Sequence, residues 1–210
     1  FSNGTAALIP KVTGVETVGL YDHNGAFDIS SKADVTTVNI NRGEGDDTIS
    51  VAAGTTVNLV DVVVGTGTGN AAQTIAYKAT DTSAILGLSG VTAKGTDSNE
   101  DVSVTGAALT SLVVNATGTA NAFDSFNVAA VPAVTINSAV KFTAPIETTG
   151  TSGTLTMTGA GAFSIGTIDA GFDTITATAN TGGVTLVLDS GTDTIVNLGS
   201  GADTVSTDAT

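Results

Sequence analysis

The chain has 210 residues with 6 Lys and Arg against 20 Asp and Glu, a formal net charge of -14, one His, no Cys and no Trp. Six dispersed cations do not make the basic face a nucleic-acid binder needs, and without thiols a disulfide scaffold, a thiolate metal site and a cysteine nucleophile are excluded. Hydrophobic residues make up 41%, enough apolar area to fold, yet no run of ~18 apolar residues would cross or insert into a membrane.

The chain begins at Phe1 rather than Met, which suggests a mature or excised piece of something longer. Only Glu16, Glu44, Glu100 and Glu147 of the acids are Glu. Asp is a poor helix former that favours turns, so the acid choice points to a turn-rich β protein. In chain order, Tyr21-Asp22-His23-Asn24-Gly25 reads as a turn with its imidazole on the surface. Val35-Thr-Thr-Val38-Asn39-Ile40 alternates with the period of a strand. From about Ala52 to Ser111 the pattern loosens, and long loops or an antiparallel insertion are expected. There Gly65-Thr-Gly67-Thr-Gly69 lacks the Lys of a phosphate loop. Asp97-Ser-Asn99-Glu100-Asp101 has cation-ligand residue types without EF-hand spacing and reads as a solvated loop. Thr135-Ile136-Asn137, Thr154-Leu155-Thr156-Met157 and Thr185-Leu186-Val187-Leu188 are further predicted strands.

Repetition is clearest over 159–206. Gly159-Ala-Gly161-Ala-Phe163-Ser-Ile165, Ala170-Gly171-Phe172-Asp173-Thr-Ile175, Ser190-Gly191-Thr-Asp193-Thr-Ile195 and Gly199-Ser-Gly201-Ala-Asp203-Thr-Val205 place the second Gly at 161, 171, 191 and 201. Gly43-Glu44-Gly45-Asp46-Asp47-Thr48-Ile49 repeats the spacing far upstream. A turn plus a strand every ~10 residues cannot bury its own apolar face; stacked coil on coil, it can. The expected fold is therefore all-β: one parallel β-solenoid or β-roll over 1–210, about two repeats per coil and roughly ten coils. The apolar residue two after each Asp should point inward, with Phe163 filling the core.

The Gly-x-Gly-x-Asp pattern has two uses. Gly lets backbone carbonyls converge and Asp adds a carboxylate, an oxygen cage of the kind calcium accepts. The same Asp also caps a turn by accepting backbone N–H bonds. The candidate calcium residues are Gly43, Gly45, Asp46, Asp47, Gly171, Asp173, Gly191, Asp193, Gly199, Gly201 and Asp203. Zinc is not favoured, with Cys absent and His23 alone. Stacked Asp residues would repel one another without counter-ions.

These motifs resemble the calcium-binding nonapeptide repeat of RTX proteins. The Thr-, Ala-, Gly-, Val- and Asp-rich texture, as in Val12-Thr-Gly14-Val15-Glu16-Thr17-Val18, is similar to RTX-related bacterial surface-layer (S-layer) proteins. The motif covers about a quarter of the chain. Its step is 10 rather than nine, and Ala170 and Ser190 stand where a first Gly belongs. The resemblance implies type I secretion, a cell-surface location and calcium-dependent folding. It also implies calcium-bridged self-assembly into a lattice, and contact with outer-membrane lipopolysaccharide through other domains. A repeat segment of a secreted RTX adhesin or biofilm protein is the alternative.

An enzyme is not expected: a Ser-His-Asp arrangement would depend on His23, and Arg42 is the sole Arg for an anionic substrate. Thr154-Leu-Thr156 and Thr174-Ile-Thr176 raise an ice-binding solenoid, set aside because the pairs do not recur in register along one face.

Overall fold

The computed structural model describes residues 11, 13–23, 25–43, 47–65, 72–94, 101–189 and 194–208. They form nine successive coils. Coils 1 and 2 hold two strands each, β1 (Thr17–Tyr21) with β2 (Ala26–Asp28), then β3 (Thr37–Asn41) with β4 (Asp47–Val51). Coils 3 to 6 hold three each. They are β5 (Thr56–Val60), β6 (Val63–Val64) and β7 (Gln73–Tyr77); β8 (Ser83–Ser89), β9 (Thr92–Ala93) and β10 (Val102–Thr105); β11 (Ser111–Ala116), β12 (Asn121–Ala122) and β13 (Phe126–Asn127); and β14 (Ala133–Ser138), β15 (Phe142–Thr143) and β16 (Ile146–Glu147). Coils 7 to 9 return to two strands: β17 (Thr154–Thr158) with β18 (Phe163–Ile168), β19 (Thr174–Thr176) with β20 (Val184–Leu188), and β21 (Ile195–Asn197) with β22 (Thr204–Thr207).

One strand from each coil stacks into a nine-stranded sheet running from β1 to β21. The second sheet is two ladders that converge. β2, β4, β7, β10, β13 and β16 form one, β6, β9, β12 and β15 the other, and both pair with β18. β15 meets it at Phe163 and Ser164, β16 at Ile168. The Ala144-Pro145 corner of coil 6 thus flattens into one continuous strand. The pairing of β18 with β20 shifts register between Ile165 and Thr167. Gly166 sits at that bulge, where a Cβ would lie 3.2 Å from Pro145 Cγ.

The fold is a parallel β-solenoid. Thr17 faces Thr37, Thr37 faces Thr56, and Thr154 faces Thr174, so coils at both ends advance by about 20 residues, two repeats each. The segment 52–111, expected to hold loops or an antiparallel insertion, carries β5 to β10, and every described strand pair in it is parallel. Its coils are longer: Thr56 faces Ile85 and Ser83 faces Ser111.

Strict alternation fills the interior. Val38, Val57, Leu86, Val114, Ile136 and Met157 form one inward column, all fully buried. Each such side chain contributes ~1.5–3 kcal/mol through burial. In the wider three-sided coils the rings of Phe123, Phe126 and Phe142 pack edge to face, 5.8 to 6.5 Å apart. Phe163 stacks next to Phe142 at 5.9 Å, in the core as its repeat position predicts.

Two expectations are corrected by register. Thr154 and Thr156 face Thr174 and Thr176 directly, so the Thr-x-Thr pairs do recur on one face. Ile195 faces Thr174, which turns it outward and leaves Val196 opposite the core residue Ile175. One residue of slip moves a side chain to the other face. The repeats at 171 and 191 share a spacing but not a facing.

Candidate cation-binding turns

The upstream repeat lies where coils 1, 2 and 3 turn the same corner. Gly45 and Asp46 lie outside the described residues; Gly43 and Asp47 flank them. Asp47 opens β4 with its side chain inward and 1% exposed. Its Oδ1 accepts the N–H of Gly25 in the coil before. Gln73, opposite Asp47 in the coil after, is wholly buried and donates through Nε2 to the Asp47 carbonyl, 3.3 Å. A Cβ added to Gly43 would lie 3.8 Å from both Asp47 Oδ2 and the His23 carbonyl oxygen. These two oxygens border one small space that a glycine leaves open.

His23 is not on the surface. It is 6% exposed, with its ring edge against Phe27 at 6.0 Å. Burial lowers its pKa from the ordinary value of 6.5, against a smaller upward pull from a hydrogen bond with the Gly25 backbone. His23 Nε2 and Gln73 Oε1 have no hydrogen-bond partner among the described residues. A buried polar atom left so is costly, and this corner holds two.

The C-terminal repeats are distributed differently. Gly191 and Asp193 lie outside the described residues. Gly171, Gly199 and Gly201 have no left-handed φ; a Cβ on each would overlap the backbone of the neighbouring coil, at Gly150, Asn180 and Gly183 respectively. Close coil stacking, rather than positive φ, requires these glycines. Asp173 is exposed just before β19, accepting the Ser152 hydroxyl at 2.5 Å. Asp203 is half-buried just before β22, its Oδ1 accepting the Val184 N–H at 2.9 Å. Since β19 and β22 belong to different sheets, Asp173 and Asp203 do not stack in one ladder.

What the placed acids share is a job. An acidic or amide side chain at or just before a strand's first residue reaches the backbone of an adjacent coil. Asp47 and Asp203 do so, and three residues the repeat did not flag join them. Asp101, expected in a solvated loop, is 1% exposed and accepts the Asp124 N–H at 2.5 Å; residues 97–100 lie outside the described residues. Asn121 accepts the Val91 N–H at 3.0 Å. Buried Asn180, at a corner rather than a strand start, donates to the Gly159 and Gly161 carbonyls, both at 2.9 Å. For Asp101 the available signal was an Asp directly ahead of the alternating run Val102-Ser103-Val104-Thr105; Asn121 and Asn180 precede no such run.

Among the described residues, no group of three or more His, Cys, Asp or Glu gathers to hold a metal ion. A cation at the Asp47 corner would therefore rest on one carboxylate and backbone carbonyls, a hard-oxygen set that suits calcium. In comparisons with known proteins, no family model, no curated protein and no solved structure matches the chain.

Proposed function

We propose that this chain is a structural segment of a bacterial surface layer. It is secreted by a type I route and folds outside the cell, where calcium tightens its acidic turns and promotes association with its own copies. The observation that carries the reading is the coil-to-coil role of the turn carboxylates: Asp47 bridges to Gly25 and Asp203 to Val184. A cation there would neutralise charge in a chain at -14 and lock adjacent coils with the same side chains. Asp47 with Gly43 is the best-fitted candidate, because its second oxygen and the His23 carbonyl border the same space. The resemblance to RTX repeats supports calcium over other ions. The reading is non-catalytic, and the burial of the sole imidazole, His23, favours it.

The test is a calcium titration read by circular dichroism and analytical ultracentrifugation. Melting temperature and sedimentation coefficient are expected to rise in millimolar calcium over chelator; no change in either removes the calcium reading. A repeat segment of a secreted adhesin is the second reading, favoured by the rod-like stacking of coils. It predicts a monomer in calcium that binds a sugar or host ligand.

A further inference from the structure

The outer surface of the nine-stranded sheet is unlike the rest of the molecule. None of its outward strand residues is charged, from Thr17 in β1 to Asn197 in β21, in a chain with 26 charged residues. The charges lie at its edges, as Glu16, Asp22, Arg42 and Asp61 beside the strand ends. The other sheet turns Asp28 and Glu147 outward. Three of the four exposed large apolar side chains among the described residues are on the charge-free face: Tyr21, Ile85 and Ile195, at 67%, 40% and 61% exposure. Tyr21 and Ile195 stand on the first and last strands and Ile85 within the face; a charge-depleted centre inside a charged rim is the composition of a protein interface.

The face is also periodic. One column runs Thr37, Thr56, Ile85, Val113, Thr135, Thr156 and Thr176, threonine at both ends and β-branched throughout. The next holds Asn39, Asn58, Asn115 and Asn137. The amides satisfy one another along the axis: Asn58 donates to Asn39 at 2.8 Å and Asn137 to Asn115 at 3.0 Å, while the Thr158 hydroxyl donates to Asn137 at 2.6 Å. Gly87 stands between Asn58 and Asn115 in this column, and the rows repeat at the ~4.8 Å spacing of paired strands.

We propose that this face is the docking surface for a second copy of the chain, each copy presenting the same sheet. Charge selects the face: two chains at -14 repel wherever carboxylates meet, and here they present none. Periodicity selects the partner, because a second copy presents the same uncharged β-branched column at the same strand repeat. Nine strands at ~4.8 Å by about five residues at ~3.3 Å give roughly 700 Å² per copy. That is somewhat below the ~800 Å² per partner of a standard interface, so the contact is weak alone and gains from repetition. The inference rests on the self-association proposed above and names its surface.

The test compares the full chain with Thr135→Glu/Thr156→Glu, which puts carboxylates on this face, and with Thr48→Glu/Thr185→Glu, which adds equal charge to the other sheet. All three are first shown to fold by circular dichroism. Sedimentation velocity in millimolar calcium should show reversible self-association of the parent, weakened about tenfold or more by the first variant and about twofold or less by the second. Equal weakening by both, or none by the first, overturns the face while leaving self-association standing. A parent that stays monomeric at every concentration overturns both. Thermal hysteresis from a monomeric parent, lost in the first variant, would assign the threonine rows to ice and overturn the second-copy proposal.

Discussion

The middle and the ends of the solenoid build the same inward corner from opposite materials. In the column shared by β4, β7, β10, β13 and β16, the residues are Asp47, Gln73, Val102, Phe126 and Ile146. The neighbouring column runs the other way: Phe142, Phe163 and Val184, with Asp203 of coil 9 bonded beneath Val184. The three-sided middle coils enclose more volume and fill it with phenyl rings. Where the corner turns polar, hydrogen bonds from coil to coil do the holding. Apolar burial is indifferent to ions, whereas a carboxylate at a turn responds to charge, protons and metal. In these two columns the carboxylates stand at the ends; in the middle, Asp101 just ahead of β10 is a buried turn carboxylate of the same kind.

The largest effect is therefore expected at Phe163, in coil 7 directly against Phe142 of the middle, and should ignore calcium. Phe163→Ala removes a fully buried ring in contact with Phe142 and should cost about 3–5 kcal/mol. Denaturant unfolding in calcium and in chelator should give the same loss. A loss that appears only in calcium would break the comparison, because the middle would then depend on the ion as well.

At the ends the dependence should reverse. Asp47→Asn, and separately Asp203→Asn, keep an oxygen for the Gly25 or Val184 N–H, so in chelator each should lose at most about 1 kcal/mol. In calcium each should lose most of the ion-dependent gain in melting temperature, with Asp47→Asn the more damaging because it is the more buried. Equal losses in both conditions would leave these residues as coil-to-coil caps and nothing more. Asp173→Asn makes a contrast: exposed and bonded only to the Ser152 hydroxyl in the described structure, it should change stability little in chelator.

Much of the fold was legible because alternation and turn spacing are local. Thr154 to Met157 and Thr185 to Leu188 are strands as read, and Ile49 and Ile175 point inward two residues after their Asp. What could not be read is register. A spacing of 10 does not say whether a coil takes 20 residues or 21, and that single residue turns Ile195 out and brings the Thr pairs of β17 and β19 into line. The strand that coils 3 to 6 add, β6, β9, β12 or β15, is only two residues long, too short to show a period. The candidate turns were legible at Asp47 and Asp203. Asp101 was not, because its burial comes from coil 5 packing over it, and His23 was not, because neither its own turn nor its single occurrence reveals Phe27 beneath the ring.

A smaller effect should come from the amide column on the flat face. Asn137 accepts the Thr158 hydroxyl and donates to Asn115, both half-exposed, so Asn137→Ala should cost on the order of 1 kcal/mol. Asn39→Ala at the other end of the column should cost less, since Asn58 alone bonds to that side chain. Equal losses would show that the column acts as a cooperative whole rather than pair by pair.

The smallest effect concerns protons at the N-terminal corner. His23 has its folded-state pKa lowered by burial below the 6.5 of an exposed imidazole. The folded state thus binds its proton less readily than the unfolded state does. Its contribution is present above pH 6.5 and is lost as pH falls through the lowered folded value, the window opening just below neutrality. The geometry agrees in sign: Nε2 is buried with no described hydrogen-bond partner, so a proton arriving there gains a charge that burial disfavours and no bond from the folded arrangement. Melting temperature measured in chelator at steps from pH 7.5 to about pH 5 should therefore decline in the parent and stay flatter in His23→Leu. Staying above pH 5 keeps ordinary carboxylates ionised, so the difference between the curves isolates the imidazole. Phe163→Ala should run parallel to the parent across the same range, because a buried phenyl ring has no proton to exchange. Parallel curves for His23→Leu as well would mean that the corner opens to water around the imidazole, and the division between an indifferent middle and responsive ends would then rest on the carboxylates alone.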